Sequence, residues 1–375
     1  MQANLKKNGK YYNIEAIRFL FSVLIIYYHI FHSNIMNFTG GSAFYSRLKE
    51  SSDYAGIIVE CFFILSGFFL YYSYCKNPSK SAGQFVFDKF SRLWPVFFVA
   101  TVAETFFYEA EIYPLFLNLL FLQSIGISPI VRGINWYVSS LFWVLIFYFV
   151  LLKYTKNKKK LNIFIGVIVY FSYMILLSAF NGGFGREVVY GVFSGALLRA
   201  LAGVGLGYLI AVCAENVRNM PSVRNFKPSA VQNILITAVI SLCELAFFAL
   251  LLVHFLYKEK AYEKQFIVVI LYSGLLLCML TEKGILSRLC NNKIIGSLGK
   301  YTYSIYIMQQ TSFYILQRTL WKNTDFVQNH ALRCIAVSVL FSVVLGIAVY
   351  YIIEKPSARL LKKFGRRLFA KEARY

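Results

Sequence analysis

IEAIRFLFSVLIIYYHIFH, residues 14–32, decides how the rest of the chain is read. It is long and apolar enough to cross the ~30 Å of hydrocarbon in a bilayer, for which about 20 residues are needed. Yet it carries Arg18 and His29. Ionisable groups are costly inside a membrane, so each marks a functional hypothesis. At 3.6 residues per turn, their spacing puts the two within ~20° of one helix face and ~16 Å apart along it. One stripe therefore presents a cation near one membrane surface and an imidazole in the half nearer the other. His32 falls at the end of the run and reads as interfacial.

Runs of similar length recur along the whole chain, roughly at 14–33, 55–74, 92–108, 136–152, 163–180, 195–213, 231–256, 266–281, 302–317 and 331–353. The expected fold is all-α, a polytopic membrane bundle of about ten transmembrane helices. Pro114–Ser124 is apolar but short and reads as an interfacial or re-entrant piece. Composition agrees: of 375 residues, 58% are hydrophobic and only 15% charged, against about 25% charged in soluble domains. The net charge of +22 could suggest nucleic acid, but the Lys and Arg residues sit in short clusters between apolar runs, so no nucleic-acid partner is expected. Placing both termini in the cytoplasm leaves 27 Lys and Arg in the inner connections and 9 in the outer ones, as the positive-inside rule requires. The seven cysteines show no metal or redox spacing, so no disulfide framework, metal or bound cofactor is expected. The first run has no cleavage site behind it, so no signal peptide is read. One transmembrane domain is expected over 1–375, with basic cytoplasmic tails at 1–13 and 354–375 and no appended soluble domain. The final tail, with Lys362, Lys363, Arg366 and Arg367, reads as an electrostatic anchor to anionic membrane lipid.

Other ionisable residues also fall within the runs. Glu60, in VECFFILSGFFL, sits at a depth similar to His29 when both are counted from the outer surface. It is expected to pair with His29 and orient it, as a carboxylate does in hydrolase triads. In FDKFSRLWP, Lys89 and Arg92 lie three apart, with Pro95 placed in the first turn of the third span. Beside Arg18 they would form a cationic inner mouth suited to phosphates. Arg199 lies in FSGALLRALAGVGLGYLI, whose four glycines would let helices approach closely. Glu104 and Glu244 lack a partner readable from the sequence. His254 and His330 read as interfacial.

Several of these pieces, in this order, resemble the integral membrane acyltransferases of the acyltransferase-3 type, which O-acylate cell-surface glycans. They are Arg18, ten residues, then His29; Glu60 ahead of FFILSGF with Ser66; Lys89 and Arg92 before Pro95; and Trp136 in INWYVSSLF. Near the C-terminus LGKYTYSIYIM and YYIIEKP complete the pattern. The resemblance implies an acyl-CoA donor, acetyl-CoA first, docking its phosphates on Arg18, Lys89 and Arg92. His29 would act as general base or brief acyl acceptor, and an ordinary imidazole pKa near ~6.5 suits either role. Ser66, Trp136, Arg199 and Gln309 would line the substrate path. The acceptor would be a saccharide or lipid-linked glycan at the outer face of a bacterial plasma membrane. Three positions depart from the family pattern: Lys89 replaces an arginine, Ser139 to Leu141 lack an expected glutamate, and Gln309 replaces a histidine. Gln309 can still hydrogen-bond. Two other readings are a polytopic glycan transporter or flippase and a catalytically silent family member.

Overall fold

The computed structural model describes residues 11–32, 43–52, 55–107, 112–125, 134–191, 193–256, 265–322 and 324–372. The N-terminal Lys6, Lys7 and Lys10 lie outside them. The chain is an all-α polytopic bundle, with helices α1 (Tyr12–His32), α2 (Ile58–Lys76), α3 (Ala82–Phe107) and α4 (Ile112–Leu119) in its first third. There follow α5 (Asn135–Tyr154), α6 (Lys158–Ala179), α7 (Gly195–Asn219), α8 (Ala230–Leu256) and α9 (Phe266–Leu280). The last are α10 (Thr302–Arg318), α11 (Ala331–Val349) and α12 (Lys355–Glu372). Among the described residues the one sheet is a short antiparallel pair, Val188–Tyr190 with Phe193–Ser194.

Seven helical stretches among the described residues are long and apolar enough to cross a membrane, containing α1, α2, α5, α6, α7, α8 and α11. Each remaining expected span also has a helix. α9 is short, at 15 residues. α10 is polar on its protein-facing side, with Ser304, Gln309, Gln310, Thr311 and Ser312 buried against neighbours. α3 carries Asp88, Lys89 and Arg92 in its first half. α4 keeps Ile112, Tyr113 and Phe116 exposed, while the turn after it buries Phe121 against the rings of Phe97 and Phe142. This helix and turn cover most of Pro114–Ser124, the stretch expected to be interfacial or re-entrant.

Contacts between helices fix their relative directions. Along α2 and α7 the partners rise together: Glu60 with Arg199, Phe63 with Gly203, Gly67 with Val204 and Tyr72 with Glu215. α1 runs parallel to α10 and the turn leading into it, through Arg18–Gly299 and His29–Gln309. α3 and α10 do the same through Leu93–Tyr303 and Phe107–Tyr314. α10 and α11 are antiparallel, pairing Ser304 with Glu354 and Ser312 with Ser342. Strict alternation of ten spans demands these same relations.

The closest helix pair is α2 with α7. A side chain at Gly67 would run into the Val204 backbone and one at Gly207 into the Ile64 backbone. A Cβ on Gly203 would stand 2.6 Å from the Phe63 Cβ. Small residues let membrane helices touch backbone to backbone, which supplies the packing that lipid cannot drive.

The third span begins differently from expectation. Ser81 and Gln84 form a reciprocal capping box, each side chain bonding the other's backbone N–H at 3.1 Å. This starts α3 at Ala82, so Pro95 lies inside the helix and not in its first turn. The capping pair satisfies two of the amide groups left open at a helix start, and the helix grows from there.

Gly207→Val is expected to destabilise the protein by about 3 kcal/mol or more, since neither backbone can yield. Gly166→Ala, with nothing within 4 Å of the added carbon, is expected to stay within about 1 kcal/mol of the parent. Thermal unfolding in detergent, with the yield of monodisperse protein, measures both. Equal melting of the two variants would contradict the glycine contact.

Candidate active site

The expected site residues fall into three groups. The first surrounds a cavity of about 150 Å³ at the end of the bundle where α1 and α3 begin. Arg18, Lys89, Arg92 and Ser66 all line it. Arg18 donates to the Gly299 carbonyl and pairs with Glu15 at 3.0 Å. A side chain on Gly299 would collide with Glu15, so this glycine of LGKYTYSIYIM lets the carbonyl reach Arg18. The Lys89 ammonium stands 5.1 Å from the Phe85 ring centre. Among the described residues no carboxylate pairs with Lys89 or Arg92. The Ser66 hydroxyl donates to Phe62 O at 2.7 Å within its own helix. Phe62, Phe69, Tyr137, Tyr303 and Tyr306 supply aromatic walls. A narrow slot, cationic at one end and aromatic along its length, fits a slender chain ending in phosphate.

The second group lies further along α1 and on α10. His29 Nδ1 is 3.2 Å from Gln309 Oε1. The amide is oriented by its other bond, Gln309 Nε2 donating to Tyr306 O at 2.8 Å. Its oxygen therefore faces the imidazole and can only accept. Nδ1 must carry the proton, which leaves the lone pair on Nε2. Tyr306 lines the cavity and its carbonyl holds Gln309, so the slot and the imidazole are one helical turn apart on α10.

The third group corrects the expected pairing of Glu60 with His29. Glu60 is fully buried and bonds Arg199 Nε at 2.5 Å. Arg199 also donates to Phe184 O at 3.1 Å and lies 4.9 Å from the Trp136 ring centre. The physical reason is twofold. The glycine contact turns the Glu60 face of α2 toward α7, and a guanidinium is a stronger partner for a buried carboxylate than a neutral imidazole. Arg199 and Trp136, expected on the substrate path, are consumed in this cluster and stand outside the cavity wall.

Glu104 and Glu244 have partners that the sequence did not disclose. Asn135 donates to Glu104 at 3.1 Å, and Ser287 holds Glu244 through its backbone N–H at 3.0 Å and its hydroxyl. Sequence reasoning also missed the cavity tyrosines. Tyr303 and Tyr306 are three apart in YTYSIYIM and so share a face, which was the available signal. The two C-terminal motifs meet each other, Ser304 donating to Glu354 at 2.6 Å.

A family model described as an acyltransferase domain matches residues 11–353, nearly the whole chain. Comparison with curated proteins and with solved structures finds no match.

Removing one partner from a buried ion pair leaves an uncompensated charge, at a cost of about 3–5 kcal/mol. Glu60→Leu and Arg199→Met should each lower the melting temperature markedly, and the double variant should be milder than the two losses added. Thermal unfolding of all four proteins checks this. Fully additive losses would show that the pair does not act as a unit.

Proposed function

The chain belongs to the acyltransferase-3 family of membrane acyltransferases, and on that premise we propose that it moves an acyl group from acyl-CoA to a hydroxyl of a cell-surface or lipid-linked saccharide. Acetyl-CoA is the first donor to test. The observation that carries the reading is one slot with cations at its mouth and, a turn beyond its aromatic wall, an imidazole fixed in one tautomer.

In this reading the donor's diphosphate sits on Arg18, Lys89 and Arg92, at the cytoplasmic face of a bacterial plasma membrane. The pantetheine arm runs between Phe62, Tyr137 and Tyr306 and presents its thioester near His29. The acceptor hydroxyl approaches from the outer side. His29 Nε2 takes the hydroxyl proton as the oxygen attacks the thioester carbonyl carbon. The new C–O bond forms, the C–S bond breaks, and the imidazolium returns its proton to the leaving thiolate. Gln309 keeps Nδ1 protonated throughout, so it serves the orienting role that Glu60 does not. Lys89 in place of an arginine still supplies a phosphate cation, though as a point charge without a bidentate fork. Leu141 supplies wall and no carboxylate, so the acid–base work falls on His29.

His29→Ala is expected to lower kcat by about 10²-fold or more, with the protein still folded and membrane-inserted. The measurement is transfer of the radiolabelled acetyl group of acetyl-CoA to glycan in membranes and with purified protein, and turnover above a tenth of the parent's would remove His29 from the chemistry.

Arg92→Ala and Lys89→Ala should raise the KM for acyl-CoA more than they lower kcat, because remote phosphate contacts contribute largely uniform binding. An unchanged KM in both variants would argue against docking at this mouth.

A further inference from the structure

A second, larger cleft of about 600 Å³ lies between the start of α3 and the C-terminal helix α12. α12 is held there by aromatic contacts. The Phe87 ring lies 6.3 Å from that of Phe364 and 6.0 Å from that of Phe369. A Cβ on Gly365 would press on Phe87, and one on Gly83 would stand 3.3 Å from Phe369. The bare glycines let the two helices close, and Lys362 and Arg366, one turn apart, are thereby set into the cleft wall.

The polar lining is cationic. Lys80, Lys362 and Arg366 face a single carboxylate, Asp88, and Asp88 is paired with Lys80. Among the described residues Lys362 and Arg366 have no carboxylate partner. Gln84 adds a donor to the same wall: its Oε1 is occupied by the capping bond to Ser81 N, which leaves the Nε2 amide protons for a ligand. The cleft adjoins the slot, because Asp88 lines the one and Lys89 the other. Lys89 also lies within charge range of Lys80, Asp88 and Lys362.

We infer that the α3–α12 cleft is a phosphate-monoester site, distinct from the diphosphate contacts of the slot and built by the C-terminal helix. It rests on the acyl-CoA reading for its first source of phosphate. A donor whose thioester arm enters the slot and whose diphosphate stops at Lys89 and Arg92 leaves its nucleotide at this opening, where the 3′-phosphate meets Lys362 and Arg366. Guanidinium and ammonium groups bind such a dianion through charge-assisted hydrogen bonds. The second source of the same chemistry is the headgroup of a monoester lipid in the adjoining leaflet.

The test uses full-length protein with CoA and 3′-dephospho-CoA as probes, titrated against the parent and the Lys362→Gln/Arg366→Gln double variant. Both side chains are exposed, so the variant is expected to fold, which its melting temperature checks. The parent should bind CoA about tenfold more tightly than the dephospho form, and the variant should bind the two alike. In parallel, native mass spectrometry counts phosphatidic acid retained from vesicles of phosphatidylcholine with phosphatidic acid. If the variant loses retained lipid while CoA still outbinds its dephospho form, the cleft takes a lipid phosphate. If the variant changes neither, the site is overturned. A parent that binds neither nucleotide defeats the acyl-CoA reading itself, and the lipid measurement then decides the cleft alone.

Discussion

The backbone contact between α2 and α7 governs how the rest of the bundle is arranged. With Gly67, Gly203 and Gly207 at the seam, the two helices approach until the chain itself is in contact. One face of α2 is spent on that seam, and Glu60 goes with it to Arg199. The opposite face, with Phe62, Ser66 and Phe69, is left for the slot. α1 then pairs with α10 and the turn that leads into it, from Arg18 at Gly299 to His29 at Gln309. In lipid, where apolar surface gives helices no reason to associate, such packing and the polar contacts it places are what hold a bundle together.

α10 has an unusual position for a helix so polar. It meets α1, α3 and α11, and hydrogen bonds of the C-terminal motif and its flank tie it to each: Tyr303 donates to Leu93 O, Ser304 donates to Glu354, Gln309 accepts from His29, and Ser312 and Ser342 bond each other. Every group satisfied this way is one that hydrocarbon could not have solvated. The polarity that makes α10 a weak span by composition is thus the reason it can sit at the centre.

Hydropathy, charge alternation and the Arg18–His29 stripe were enough to read the helices, their mutual directions and the cationic mouth. These are one-dimensional quantities, set by position along the chain. Glu60 marks where that reading stops. Its depth beside His29 was read from its place in the span, but depth does not say which way a side chain faces around the helix axis. The α2–α7 seam decides that, and the seam depends on a helix 139 residues away in sequence. Gln309 was recognised as able to hydrogen-bond, yet its role as the tautomer-fixing acceptor follows only from a second bond, to Tyr306 O. The start of α3 is legible in Ser81 and Gln84, whose spacing spells a capping box well ahead of Pro95.

The His29–Gln309 bond joins residues 280 apart in the chain, and this sets when the site can exist. Helices of membrane proteins insert individually and associate afterwards. At synthesis rates of roughly 5–20 residues per second, His29 is made about a quarter of a minute to a minute before Gln309. Throughout that interval the imidazole lacks its side-chain partner, and the slot lacks its Tyr303–Tyr306 wall. A nascent or prematurely terminated chain therefore carries Arg18 and His29 without the partners that complete their surroundings, which arrive only when the ninth of ten predicted spans has found the first.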